Sequence, residues 1–403
     1  MKRYVVILIS LFFVVAACQC RAQTEPFVSR RLILVHYMPW FQAKPMRDQW
    51  GWHWCMGQYD PERQFDGKRE IASHLYPLIG PYDSADPAVL EYHLLLMKIA
   101  GIDGVIVDWY GLRDLHDYRV IHENTQKLLS SVSQLGMQFA ICYEDQVVAK
   151  LIDAGKLDQR DQVSHVVKEI GWLQKHWFAT DAYVSHEGRP VLLSFGHEGL
   201  DAVQWAQCLS QLEIPIAYFS QQTRPGATGV FDWPLPSKGL KANRNFNQQM
   251  VQSDSANSAI PVAFPRYRDI YSEAGVQNSF GRIADQQGRT FQKTFDEALD
   301  LESFLIQIAT WNDWGEGTVI EPSREFGYRD LEYIQQQRRV ALGASFVSQP
   351  KDLRLPYRLY QLRSMPVGKT DAGQARLNQI AAWLAQGKTE FARTELAALE
   401  NED

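Results

Sequence analysis

The sequence predicts an α/β fold, a (β/α)8 TIM-type barrel with a long Trp-rich first loop and a C-terminal helical appendage. Three observations predict it. About eight apolar runs alternate with amphipathic stretches over ~320 residues, the scale of one barrel with insertions. Most of those runs end in Asp, Glu, His, Trp or Tyr, and in a barrel such ends meet in one bowl, where the active sites of this fold lie. The rival, an open doubly wound sheet, needs a glycine-rich phosphate turn after its first strand, and none follows here.

The first strand is the run Leu32–Val35, which leads into His36-Tyr37-Met38-Pro39-Trp40. Phe41–Asp83 is then a long loop holding Trp50-Gly51-Trp52-His53-Trp54; a loop of that length is functional or disordered, and its tryptophans argue for order. Asp86-Pro87 supplies an N-cap and first-turn proline, Leu90, Leu94 and Met97 follow at helical spacing, and Gly101 closes the helix. Gly104–Gly111 reads as a buried strand with an acidic and aromatic exit, Asp108-Trp109-Tyr110. After a helix carrying Ile121, Leu128 and Val132, Phe139–Asp145 repeats the pattern and ends in Glu144-Asp145. Val163, Val167, Ile170 and Leu173 mark the next helix. Val191–Phe195, Ile214–Phe219, Val230–Pro234, Ile260–Phe264 and Phe304–Thr310 complete the strands. Arg266–Thr294 is a second long loop. A helical hairpin with Leu377, Ile380, Trp383 and Leu384, then Phe391, Leu396 and Leu399, ends the chain. The expected division is an export segment over 1–22, a barrel over 30–340 and the appendage over 341–403.

Composition narrows the function. The 403 residues are 45% hydrophobic and 22% charged, with net charge −6, so no basic field favours nucleic acid. Aromatic residues reach 12%, with 12 Trp, enough to line a cleft as well as a core. Lys2 and Arg3 precede an apolar run to Ala17, too short for a bilayer span of ~20 residues and typical of a secretory signal. Val15-Ala16-Ala17-Cys18 has the form of a lipobox, which makes Cys18 the lipidated residue and predicts an exported protein, periplasmic or at the outer-membrane surface; the alternative is cleavage after Ala22. Cys55, Cys142 and Cys208 are too few and too scattered for a disulfide framework.

The strongest candidate for chemistry is Trp311-Asn312-Asp313-Trp314-Gly315-Glu316-Gly317-Thr318 at the eighth strand end. Glycosidic hydrolysis needs one carboxyl protonated, to protonate the leaving oxygen, and one ionised, to activate water or a hydroxyl. Asp313 and Glu316 supply such a pair, and Gly315 lets the chain fold back so that both point inward. A tryptophan wall from Trp311 and Trp314 and mutual repulsion would separate their pKa values. A D-x-x-E spacing arises by chance among 47 acidic residues; strand-end position, flanking rings and glycines together raise it. Asp108, Glu144, Asp145 and Asp232 bind sugar hydroxyls, or one of them is the second catalytic carboxylate, or they cap the following helices. Trp40, Trp54, Trp109, Tyr110, Trp233 and Trp314 are candidates to stack on sugar faces, and His36 with Tyr37 to reach the bowl from the first strand. No metal-binding motif, P-loop or G-x-S-x-G elbow is present, so neither metal nor cofactor is expected.

The segment from Ile308 to Pro322 resembles the signature of glycoside hydrolase families 71 and 99. His36–Trp40, Gly51–Trp54, Tyr76–Ser84 and Gly101–Gly111 are similar to secreted bacterial members, and the resemblance spans Leu32 to Gln335. It implies a (β/α)8 barrel that cleaves α-linked polysaccharides without a metal. Family 99 carries Glu where Asp313 stands and His where Gly315 stands; its first carboxylate is held to deprotonate the sugar 2-hydroxyl, with retention. The Asn-Asp-aromatic-Gly-Glu pattern of family 71 matches Asn312 to Glu316 more closely, and that family inverts, with Asp as base and Glu as acid. The resemblance therefore implies Glu316 as general acid and Asp313 as general base. The expected function is an exported glycosidase acting on an α-mannan or α-glucan. Its alternatives are a non-catalytic carbohydrate-binding lipoprotein, or a transferase of glycan assembly, which the export segment opposes.

Overall fold

The computed structural model describes residues 31–253 and 255–402. The export segment and Cys18 lie outside the described residues. Among the described residues, no helix is long and apolar enough to cross a membrane.

Nine parallel strands make a nearly closed barrel: β1 Leu32–Tyr37, β2 Gly104–Trp109, β3 Gln138–Glu144, β4 Arg189–Phe195, β5 Ala217–Ser220, β6 Gly229–Phe231, β7 Ala259–Ile260, β8 Val262–Ala263 and β9 Leu305–Ile308. β9 returns to pair with β1, aligning Val35 with Ile308. β7 and β8 are halves of one stave interrupted at Pro261, which has no N–H to donate. β7 pairs with β6 and β8 with β9, and the Pro261 carbonyl still accepts from Gln307 N–H at 3.1 Å.

Strand periodicity sorts the side chains into two layers, because successive residues face opposite sides. Leu34, Ile106, Ala140, Cys142, Leu193, Phe219 and Leu305 fill the barrel interior. Ile33, Val35, Tyr37, Val105, Val107 and Trp109 face outward into the layer shared with the helices. That layer includes α1 Pro87–Ala100, capped as its sequence predicts. Asp86 Oδ1 accepts from Ala88 N–H at 2.8 Å, and Gly101 takes the left-handed conformation, φ 88°. Three helices, α2 Leu355–Ser364, α3 Asp371–Ala385 and α4 Thr389–Glu400, form the C-terminal region, and Leu359, Leu377 and Leu396 join the same apolar cluster as α1.

Two expectations need correction. Phe391 is not part of the hairpin core: it is 63% exposed, and the buried stripe of α4 is Ala392, Leu396 and Leu399. The second long loop ends at a helix that begins at Arg289, because Thr290 and Thr294 turn their hydroxyls onto carbonyls and Phe291 and Phe295 bury.

Candidate active site

A cavity of about 590 Å³ opens at the C-terminal ends of the strands. Its walls follow from the strand register. Continuing each interior row by two residues leads from Leu34 to His36, from Ile106 to Asp108, from Cys142 to Glu144, from Leu193 to Phe195, from Phe219 to Gln221 and from Phe231 to Trp233. All six of these residues line the cavity. Met38, Trp40 and Tyr110 continue the β1 and β2 rows, and Asp313 and Glu316 enter from the turn after β9.

That turn is built to present two acids. Asp313 N–H donates to Thr310 Oγ1 at 2.9 Å, and Glu316 N–H donates to Asp313 Oδ1 at 2.9 Å. At Gly315 a Cβ would meet only the flexible end of Met56, Cε at 2.9 Å, which can shift aside. Gly317 is the glycine the turn requires, since its φ is 67° and a Cβ would lie 2.9 Å from the Arg268 carbonyl oxygen. The second long loop straps the turn from outside, with Arg268 N–H to Glu316 O and Ile270 N–H to Gly315 O, both 2.9 Å. From the same loop Tyr267 donates its hydroxyl to Glu316 Oε1 at 2.9 Å, and Tyr271 lines the cavity.

The environments of the acids differ. Burial pushes Asp313 up to about 6, held back by the backbone N–H groups of Glu316 and Gly315. Burial pushes Glu316 well above the usual carboxylate range. The negative charge of Asp313 adds to this, and the Tyr267 hydroxyl offsets only part. Asp108 is likewise raised, by burial and by Glu144 beside it. Glu144 is pushed up to about 7 by burial, against hydrogen bonds from Asp108 and Gln146. The backbone donors of the turn thus favour the ionised form of Asp313, while burial and the charge of Asp313 favour the protonated form of Glu316. His36 is neutral: burial drives it down to about 4, although Gln307 Oε1 lies 2.8 Å from its Nε2. Among the described residues no cluster of His, Cys, Asp and Glu has the arrangement to hold a metal ion.

The structure thus brings His36, Trp40, Asp108, Tyr110, Glu144, Trp233, Asp313 and Glu316 together. It places the other candidates elsewhere. Tyr37 faces outward and bonds His93 Nδ1 at 3.0 Å. Trp109 faces the helix layer, fully buried among Tyr143, Trp172 and Trp177, with its Nε1–H on His122. Trp54 donates Nε1–H to the Tyr82 carbonyl inside the first loop. Trp311 packs edge-on to His93, and Trp314 reaches Tyr82, both fully buried, so neither forms the cavity wall. The tryptophans that do line the acids' cavity are Trp40, stacked on His53 at 4.2 Å, and Trp233, edge-on to His36 at 4.7 Å. Asp232 neither lines the cavity nor caps a helix: it accepts from Trp233 N–H at 2.9 Å and Asn243 Nδ2–H at 2.6 Å, and the helix that follows is capped at Gly239 without a side chain. Sequence reasoning missed Gln146, Gln221, Tyr267 and Tyr271; the length of the second loop was the signal for the two tyrosines.

No protein-family model matches the chain. A glycoprotein endo-alpha-1,2-mannosidase-like protein of Danio rerio is 21% identical over 342 residues, 76% of this chain and 74% of its own. A glycoprotein endo-alpha-1,2-mannosidase of Mus musculus is 22% identical over 299 residues, 68% of this chain and 62% of its own. The solved GH99 endo-alpha-mannosidase from Bacteroides thetaiotaomicron superposes with a TM-score of 0.58 at 18% identity, covering 80% of this chain and 100% of that one. The chain is similar to glycosidases of family 99. This agrees with the resemblance carried by Ile308–Pro322, and the superposition fixes the fold as the same barrel.

Proposed function

We propose that this glycosidase cleaves α-linked glycans of the mannan type, with Glu316 as general acid and Asp313 as general base. The observation that carries the reading is the pairing of these two acids on one turn, in one aromatic-lined cavity, where burial and the charge of Asp313 push Glu316 up and backbone N–H groups hold Asp313 back. The endo-alpha-mannosidase names of its relatives support the substrate class. Glu316 donates its proton to the departing glycosidic oxygen. Asp313 keeps Oδ1 on the backbone of the turn and removes a proton from the attacking group. Trp40 and Trp233 offer apolar planes to the sugar's C–H faces, and the Asp108–Glu144 pair, one donor and one acceptor, suits a hydroxyl. The export segment and Cys18 support placement outside the cytoplasm, held to a membrane by lipid.

The test is a panel of α-mannans, α-1,3-glucans and host-type oligomannosides, with the product anomer followed by NMR. Cleavage of α-mannans, lost in Glu316→Gln with the fold retained, is the expected result. An α product places the base on the 2-hydroxyl, and a β product places it on water. Binding without cleavage of any α-glycan would replace the enzyme by a carbohydrate-binding protein.

A further inference from the structure

The first long loop meets the acid-bearing turn at one buried hydroxyl. Tyr82 OH receives Asn312 Nδ2–H at 3.2 Å and Trp314 Nε1–H at 3.3 Å, and donates to Glu321 Oε2 at 2.7 Å. Asn312 and Trp314 are the residues on either side of Asp313. Asn312 is fixed a second time, on the chain leaving β1: its Oδ1 accepts from Met38 N–H at 2.8 Å, and its Nδ2–H donates to Met38 O at 3.0 Å. The other oxygen of Glu321 lies 3.1 Å from His93 Nε2, with both side chains fully enclosed, and His93 Nδ1 meets the Tyr37 hydroxyl. Of these residues Met38 alone borders the cavity; Tyr82, Asn312, Trp314, Glu321, His93 and Tyr37 lie behind its wall. A carboxylate enclosed this deeply carries a large desolvation cost, which its hydrogen bonds must offset. An apolar pair would fill the same space without that cost, so the polar cluster calls for a further reason.

We propose that Tyr82, held by Glu321 and His93, is a positioning residue that grips the turn on both sides of Asp313 and keeps its carboxylate on the backbone N–H of Glu316. The proposal rests on the reading of Asp313 as the base. Loss of the Tyr82 hydroxyl frees Asn312 and Trp314, and with them the alignment of Asp313 Oδ1 against its backbone donors. Those donors favour the ionised carboxylate, so loosening them raises the pH at which Asp313 ionises. The other titratable groups facing Asp313 are Glu316, Glu144, Asp108, Tyr267 and Tyr271, with His36 on the same cavity wall, and removing one phenolic oxygen from Tyr82 changes the charge of none of them.

The experiment is Tyr82→Phe in the full chain, with Trp314→Phe as a second variant that removes one spoke and keeps an aromatic ring. Two quantities are read. One is the titration of Asp313 by 13C NMR of aspartate-labelled protein, its resonance assigned by disappearance in Asp313→Asn. The other is kcat and KM on an α-mannan oligosaccharide. The expected result is an Asp313 midpoint raised by about one pH unit in Tyr82→Phe, with kcat lower by about 10–100-fold at little-changed KM. Trp314→Phe shifts both in the same direction and by less. An unchanged Asp313 midpoint in whichever variant folds overturns the clamp, whatever happens to activity. A native protein that cleaves no α-glycan, yet shows the shifted midpoint in the variants, refutes the glycosidase reading and leaves the clamp standing.

Discussion

The cavity holds two pairs of carboxyls, and they differ in what the backbone does for them. Asp108 and Glu144 sit on regular strands, β2 and β3, whose N–H groups are committed to the sheet. They have each other and Gln146 for partners, so burial raises both. Asp313 sits on an irregular turn whose free N–H groups aim at it, and these donors work against the effect of burial. The comparison teaches that the ionised acid is placed by the turn: strands supply rigid positions, and a turn supplies unspent donors that stabilise a negative charge.

That contrast can be broken most severely at the turn. Asp313→Asn should lower kcat/KM by about 10²–10⁴-fold, the usual worth of a positioned proton acceptor, with the fold retained because the amide oxygen still accepts from Glu316 N–H. Asp108→Asn, on the strand, should cost about 10-fold or less through weakened binding. Equal losses at both positions, measured by steady-state kinetics, would erase the distinction between the pairs.

Burial offers a second contrast, between tryptophans at the ends of β2 and β6. Trp109→Ala should destabilise the protein by ~3–5 kcal/mol in denaturant unfolding without changing KM, because the ring packs in the helix layer. Trp233→Ala should raise KM by about 3–10-fold, with a smaller stability loss, since its ring borders the cavity. A KM effect at Trp109 would reverse the assignment of faces.

The strand pair predicts a pH-dependent stability. Burial pushes Glu144 up to about 7 in the folded protein, above its ordinary value of 4.5, so the unfolded chain gives up this proton first. Its contribution is therefore fully present below about pH 4.5 and is lost as pH rises through 7. Glu144→Gln removes the loss and should stabilise the protein by ~2 kcal/mol at pH 8 relative to native, with no gain at pH 4. Thermal unfolding at the two pH values checks this. In the turn the corresponding effect is kinetic and smaller: kcat/KM should climb as pH rises through about 6, as Asp313 ionises.

Much of this arrangement was legible in the residues. The eight apolar runs, the capped helix Pro87–Ala100 and the acid pair after the last strand follow from periodicity, turn chemistry and spacing. Asp108 and Trp109 show where the reading ran short. Adjacent strand residues face opposite sides, so only one of them could enter the bowl. The row Ile106–Asp108 fixes which, once Ile106 is known to be interior. The same rule separates His36 from Tyr37 and Trp233 from Asp232. Trp311 and Trp314 belong to an irregular turn, where no period applies, and their burial depends on the first loop folding back through Tyr82. Tyr267 and Tyr271 arrive from a loop whose path is set by contacts far apart in sequence, which composition does not encode.

The division of labour between Glu316 and Asp313 is tested most directly by leaving-group dependence. Glu316→Gln should lose about 10²–10⁴-fold on an α-mannan oligosaccharide, whose departing oxygen needs a proton. It should retain most activity on a dinitrophenyl α-mannoside, whose leaving group departs as an anion. Equal losses on the two substrates would contradict the assignment of Glu316 as the acid.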